Sequence, residues 1–160
     1  MEIAIILVLI VLHGFLVLGE IALLTTKRAK LESEKAKGRR SASIAIDLLD
    51  NLDNYLLAMQ IGITLISIVL GAYGGMKFGA ILVPLLEQIP VFAPYSVQIS
   101  VSAIIALIAY VSIVVGQVAP KHIAIQHSES LALACAPMML LVTRLTKPIA
   151  LFLSWSTKLF

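Results

Sequence analysis

Residues 54–76 read NYLLAMQIGITLISIVLGAYGGM, an uninterrupted run without a single charged side chain. In a helix rising 1.5 Å per residue this run covers about 34 Å, and the hydrocarbon core of a bilayer is about 30 Å thick. The stretch therefore predicts a membrane-spanning helix. Its polar and small residues are not scattered: Gln60, Thr64, Ser67 and Gly71 follow one another at steps of four, three and four. That spacing puts them on one helical face, with Leu65, Ile66, Val69 and Leu70 pointing elsewhere.

Working outward from this run, residues 3–26 contain Glu20 as their only charge, and residues 88–120 contain none. The second of these is longer than one crossing needs. Pro90 and Pro94 mark a loop at its start, so the span is predicted over about 95–119. The chain as a whole is 60% hydrophobic and 13% charged, against about 45–50% and about 25% in soluble domains. One all-α membrane domain over residues 1–160 is expected, with three spans at about 3–26, 54–76 and 95–119. The first span begins MEIAII, with no basic segment and no small-residue cleavage site before TTKRAK, and is predicted to be retained.

Basic residues set the orientation. Lys27, Arg28, Lys30, Lys35, Lys37, Arg39 and Arg40 follow span one, only Lys77 lies between spans two and three, and Lys121, Arg144, Lys147 and Lys158 follow span three. Loops rich in lysine and arginine stay in the cytoplasm. The N-terminus is predicted outside and the C-terminus inside a cell (inner) membrane. The inner loop 27–53 predicts a helical hairpin, one helix running out of the membrane to Gly38 and a second with Ile44, Ala45, Leu48, Leu49 and Leu52 on one face. Its basic run anchors the topology and faces membrane lipid.

Residues 130–157 are interrupted by Pro137 and Pro148 and carry Arg144 and Lys147. Burying such charges at mid-bilayer costs about 2.5–3.5 kcal/mol each on insertion scales. A juxtamembrane helix in the inner interface, with Trp155 at head-group level, is cheaper. The single cysteine, Cys135, allows no intrachain disulfide and is expected to be a small packed residue.

Each span has one face unsuited to lipid. Span one presents His13 and Glu20, seven residues apart, and span three presents Ser102, Ala106, Ala109 and Ser112 with Gly116 in step. These faces should turn toward one another, and small residues alone would explain close packing. Glu20 adds a functional candidate, because an acid inside a membrane segment is costly to keep without a role. Pro120 has no N–H, so the helical bond to the Gly116 carbonyl cannot form. A freed carbonyl at membrane depth must be satisfied by protein, water or ligand. Hydroxyls, carbonyls and a carboxylate are hard oxygen donors of the kind that Mg²⁺ prefers.

Three segments, GEIALLTTKRAKLE, NYLLAMQIGITLISIVLGAYGG and GQVAPKHIAIQHSESLALACAP, resemble in order the transmembrane domain of the CNNM/CorC family of magnesium transporters, also known as hemolysin-like proteins. The resemblance covers nearly the whole chain. It implies a homodimer whose subunits have three spans, an inner hairpin and a juxtamembrane helix. It also implies an inward-facing cavity that holds Mg²⁺ against serine and asparagine side chains and a glycine carbonyl. Carried over, Glu20 matches the acid of the first span, but the serine before it is Gly19 here. Thr64 and Ser67 stand at the span-two motif. Gly116 and Pro120 match Gly-Glu-x-x-Pro-Lys, with Gln117 in place of the glutamate. These departures remove one hydroxyl and one negative charge, which weakens the hold on a divalent ion. Cytosolic nucleotide-binding CBS modules usually follow in the family, and no nucleotide site is expected in this chain.

The expected function is transport of divalent cations, Mg²⁺ first, with Na⁺ as a coupling ion for efflux. The expected cage is Thr64, Ser67 and the Gly116 carbonyl, with Gln117, Glu20 and the Gly19 position beside it. The competing reading is a dimeric membrane module that regulates a partner without carrying an ion. No enzyme is expected: HExxH, P-loop and nucleophile-elbow motifs are absent from the sequence, and His13, His122 and His127 lack metal-ligand grouping. No nucleic acid partner is expected either.

Overall fold

The computed structural model describes residues 2–157, all of its elements being helical; Lys158, counted above with the inner basic residues, lies outside them. Helix α1 (Glu2–Thr25) is followed by α2 (Arg28–Ala36), α3 (Arg40–Asp50) and the long α4 (Leu52–Glu87). A 3-10 turn at Ala93–Tyr95 leads into α5 (Ser96–Ile113), a π-helical turn (Val114–Val118), α6 (Ala119–Gln126) and α7 (Ser128–Thr157). Four stretches are long and apolar enough to cross a membrane: Glu2–Thr25, Leu52–Glu87, Ala93–Gln126 and Ser128–Ala150. The chain is a multi-helix membrane domain.

The helical hairpin forms as the sequence predicts. Gly38 has φ +82°, a left-handed conformation that costs a side chain about 1–2 kcal/mol. Its N–H donates to the Lys35 carbonyl (2.9 Å), and that of Arg39 donates to the Glu34 carbonyl (3.2 Å). This is the Schellman arrangement, which satisfies the last carbonyls of α2 and turns the chain back. Arg28 then ties the two arms together, its guanidinium bonding to Asp50 at 2.6 Å and to Glu32 at 3.0 Å.

Two element ends differ from the sequence reading. Helix α4 does not stop near residue 76 but continues through Pro84 to Glu87. The cause is tertiary. Gly75 and Gly79 lie so close to α5 that a Cβ would fall 2.8 Å from Ile105 Cγ1 and 2.6 Å from Val101 Cγ2, respectively. Ser100, fully buried, donates its hydroxyl to the Gly79 carbonyl. Close approach of small residues is how membrane helices associate, and here it outweighs the weak helix preference of glycine.

The third span likewise runs past Pro120 to Gln126. The chain widens to a π turn just before the proline, the Ala119 N–H bonding to the Val114 carbonyl five residues back. The ladder thereby changes register where a donor is missing. Such single-turn π bulges are rare and cluster at functional sites.

The densest packing is where α1, α3, α4, α6 and α7 meet, around Leu23, Leu48, Tyr55, Met59, Ala124 and Met139. Cys135 is buried in this cluster, in keeping with the packed role expected of it. Helix α7 touches α1 through Met139 at Gly19 and α4 through Val142 at Gly62, and Glu129 near its start pairs with Lys30 of α2 at 3.4 Å. Ile3, Val8, Val11, Ile68, Leu107 and Tyr110 are exposed on the outside of the bundle, as suits a surface facing acyl chains.

Candidate functional site

Helices α1 and α4 and the stretch from the π turn into α6 enclose a cleft of about 530 Å³. Its polar wall consists of Glu20 from α1, Gln60, Thr64 and Ser67 from α4, and Gln117 and Lys121 from the π turn and α6. Glu20 lies five residues before the end of α1 and Gln60 eight residues after the start of α4, about 8 and about 12 Å along their axes. Ser67 is about 22 Å from the start of α4. The cleft thus reaches from near one end of these helices toward their middle.

The residues on α4 face the cleft because they share one side of the helix at steps of four and three. Ser67 donates its hydroxyl to the Ile63 carbonyl at 2.9 Å. This leaves the lone pairs of Oγ to accept or to coordinate. The Gln60 amide donates to Thr64 Oγ1 at 3.4 Å, so the two side chains are linked along the wall. Glu20 is half-buried, and among the described residues its carboxylate pairs with no cation within 4 Å. Lys121 and Glu20 carry opposite charges, so the wall sums to zero formal charge.

Of the six residues singled out in the sequence, Glu20, Thr64, Ser67 and Gln117 come together on this wall. Gly19 does not. Adjacent residues on a helix point about 100° apart, and Gly19 turns away from the cleft: a Cβ there would sit 2.6 Å from Met139 Cε and 2.8 Å from its sulfur. A hydroxyl at position 19 would meet α7 rather than an ion in the cleft. Gly116 is buried beside the wall, with the His13 ring packed over it; a Cβ would lie 3.3 Å from His13 Nδ1. Gln117 alone carries the π turn into the cleft.

Lys121 is the wall residue that sequence reasoning counted only among the basic residues following span three. The available signal was its spacing, four residues after Gln117 and so on the same helical face. A second cavity, of about 250 Å³, lies behind the first and shares Ser67 and Gln117 with it. His13 and Ser112 line it, and the His13 nitrogens and the Ser112 hydroxyl are buried with no hydrogen-bond partner among the described residues. Leaving such groups unsatisfied costs about 1–3 kcal/mol each, so this chamber favours a polar occupant. Among the described residues no three His, Cys, Asp or Glu side chains gather as a metal centre. The cleft offers neutral oxygens and one carboxylate, a set suited to an ion that keeps part of its water shell.

Comparison with known proteins agrees with this architecture. The chain is 41% identical over 157 residues to UPF0053 protein sll0260 of Synechocystis, covering 98% of this chain and 35% of that protein. It is 39% identical over 154 residues to UPF0053 protein YhdT of Bacillus subtilis (95% and 33%) and 34% identical over 152 residues to YhdP of the same organism (95% and 34%). The chain thus spans about a third of the length of these relatives. Residues 4–160 match the CNNM family, described as the cyclin M transmembrane N-terminal domain. With polar side chains of α1, α4 and the π turn–α6 stretch meeting at one cleft and a family match over nearly all its length, the chain belongs to the CNNM transmembrane domain family.

Proposed function

We propose that this domain carries a divalent cation, Mg²⁺ first, through the cleft between α1, α4 and the π turn, with Na⁺ as the coupling ion. The observation that carries the reading is the convergence of Glu20, Thr64, Ser67 and Gln117 on one cavity from three separate segments. Close packing alone would not leave a space of about 530 Å³ walled by oxygen donors. Six waters occupy about 180 Å³ at liquid density, so a hydrated Mg²⁺ fits. Magnesium dehydrates reluctantly and is commonly held through one or two carboxylates with several waters kept. Glu20 supplies the one carboxylate, Ser67 and Thr64 orient waters or replace them, and Lys121 competes with the cation for Glu20.

In this reading α1, α4 and the α5–α6 stretch are the three spans, and α7 lies across their inner ends. Its contacts support this placement. It runs from Lys30 in the hairpin over Gly19 to Gly62 and back to the start of α4, and the points on α1 and α4 fall in the halves of those helices next to the hairpin. The N-terminus is then outside, the hairpin inside, and the cleft opens to the cytoplasm.

The test is Mg²⁺-dependent thermal stabilisation of the purified domain in detergent, followed by Mg²⁺ flux in liposomes. A ligand stabilises by RT ln(1 + [L]/Kd). Ser67→Ala should weaken Mg²⁺ binding about fivefold and Glu20→Gln by more, whereas Gln117→Glu should tighten it about tenfold, or about 1.4 kcal/mol. If the parent and all three variants respond alike to Mg²⁺, the cleft is not the site. The regulatory reading, favoured by the zero net charge of the wall, would then replace transport.

A further inference from the structure

On the opposite side of α4 from the cleft's polar wall, α3, α4 and α7 enclose a separate pocket of about 330 Å³. Its buried part is apolar, with Leu48 and Ala58 almost fully covered and Leu140 half-buried. Its exposed part carries Asn54, Arg144 and Lys147. Arg28, Lys30, Lys37, Arg39 and Lys77 all pair with carboxylates. Arg144 and Lys147, like Lys27, Lys35, Arg40 and Lys121, pair with none among the described residues, and these two stand three apart on one face of α7 at the pocket. No acidic side chain lines the pocket, so it repels cations and cannot belong to the transport route.

An apolar interior beneath two unpaired cations is the complement of an amphiphile with an anionic head. We propose that this pocket seats an anionic phospholipid of the inner leaflet, an inference that rests on α7 lying in the inner interface. The phosphate sits between the Arg144 guanidinium and the Lys147 ammonium, with the Asn54 amide beside it. Arginine matches phosphate oxygens through paired N–H donors, and lysine adds a point charge. The glycerol and first acyl carbons cover Leu48, Ala58 and Leu140. Inorganic phosphate would satisfy the cations but leave that apolar surface uncovered.

Trp155 is the chain's only tryptophan. It is 64% exposed and lies five residues beyond Ala150, which also lines the pocket. Its fluorescence in nanodiscs, with EDTA present to silence the cation cleft, reports the lipid directly. Brominated phosphatidylglycerol should quench it at a lower mole fraction than brominated phosphatidylcholine. Arg144→Gln/Lys147→Gln should abolish that preference, at about fivefold per charge removed, while Arg144→Lys/Lys147→Arg retains it. Lys35→Gln/Arg40→Gln, with the same loss of charge in the hairpin region, should leave the preference intact. Equal quenching by the two lipids in the parent, or a preference that survives in Arg144→Gln/Lys147→Gln, would overturn the proposal. Loss of the preference on adding millimolar inorganic phosphate would assign the site to a free anion instead. Quenching by neither lipid would show that α7 lies off the membrane, so that the topology fails and the lipid site with it. A failed Mg²⁺ response would leave all of these readings untouched.

Discussion

Gly19 shows what a linear motif can and cannot say at the scale of one residue. It stands next to Glu20, and the family resemblance implied that a lost hydroxyl there weakens the site. The structure turns it into the α1–α7 contact, where the Met139 side chain occupies the space a Cβ would need. Gly19→Ser is therefore expected to lower the melting temperature rather than improve ion binding, overpacking of this kind costing about 1–3 kcal/mol. Met139→Ala should restore much of the loss when combined with it, since the double variant exchanges bulk across the same contact. A melting curve for each single and the double variant checks this; additive losses would place the two residues apart. Thr64 and Ser67 were legible in the sequence because helical period alone fixes their common face. Lys121 was not, because its charge was assigned to a loop that turned out to be a continuing helix.

At the scale of elements, the hydrophobic runs were readable because hydropathy is a property of the run itself. The ends of α4 and of the α5–α6 stretch were not, because they depend on partners. The extension of α4 depends on glycines seated against Val101 and Ile105, and the passage through Pro120 on a change of hydrogen-bond register. The α2–α3 turn was legible, since glycine after a basic last turn is a common stop signal. Gly38→Ala should destabilise the hairpin by about 1–2 kcal/mol, seen as faster amide exchange in residues 28–50 with little change in the spans. Protonation acts on the same turn. The Lys37 ammonium, bonded at 2.7 Å, and then Arg39 at 3.1 Å hold the Glu34 carboxyl below the usual carboxylate range. A depressed carboxyl contributes stability that is present above its unfolded pKa and is lost as pH falls through the folded value. Hairpin protection should accordingly fall on acidification below the ordinary carboxylate range, and Glu34→Gln should remove that pH dependence. An unchanged acid profile in Glu34→Gln would assign it to other groups.

For the whole molecule, the lipid-exposed side of α5 is the least covered surface of the bundle. Leu107 and Tyr110 stand out from it, in the middle of a helix that must pack on something apolar. We expect two copies to share part of this surface in a twofold assembly, because isologous contacts close after two subunits. Light scattering in mild detergent should give the mass of two chains plus micelle, and a single-chain mass under conditions where the fold persists would rule the assembly out. The membrane class and helical content of the molecule were evident from composition. Hydropathy alone leaves the direction of α7 open, since Ser128–Ala150 is apolar enough to cross, and the interfacial placement read from the sequence rests on Arg144 and Lys147 in its second half.

The π turn at Val114–Val118 has a consequence for how the third span tolerates change. One additional residue in a helical turn advances every later side chain by about 100°, so positions before and after it belong to two different phases. A substitution scan over residues 96–126 should show sensitivity recurring every 3.6 positions along α5, then slipping by one position and resuming the same rhythm through α6. Deleting Val115 would erase that slip and leave a regular α turn, in which the Pro120 ring meets the carbonyl four residues back. The missing donor of Pro120 would then face an unwidened helix. A single-residue deletion should thus be more damaging here than any single replacement in the same turn, the reverse of what an ordinary loop would show.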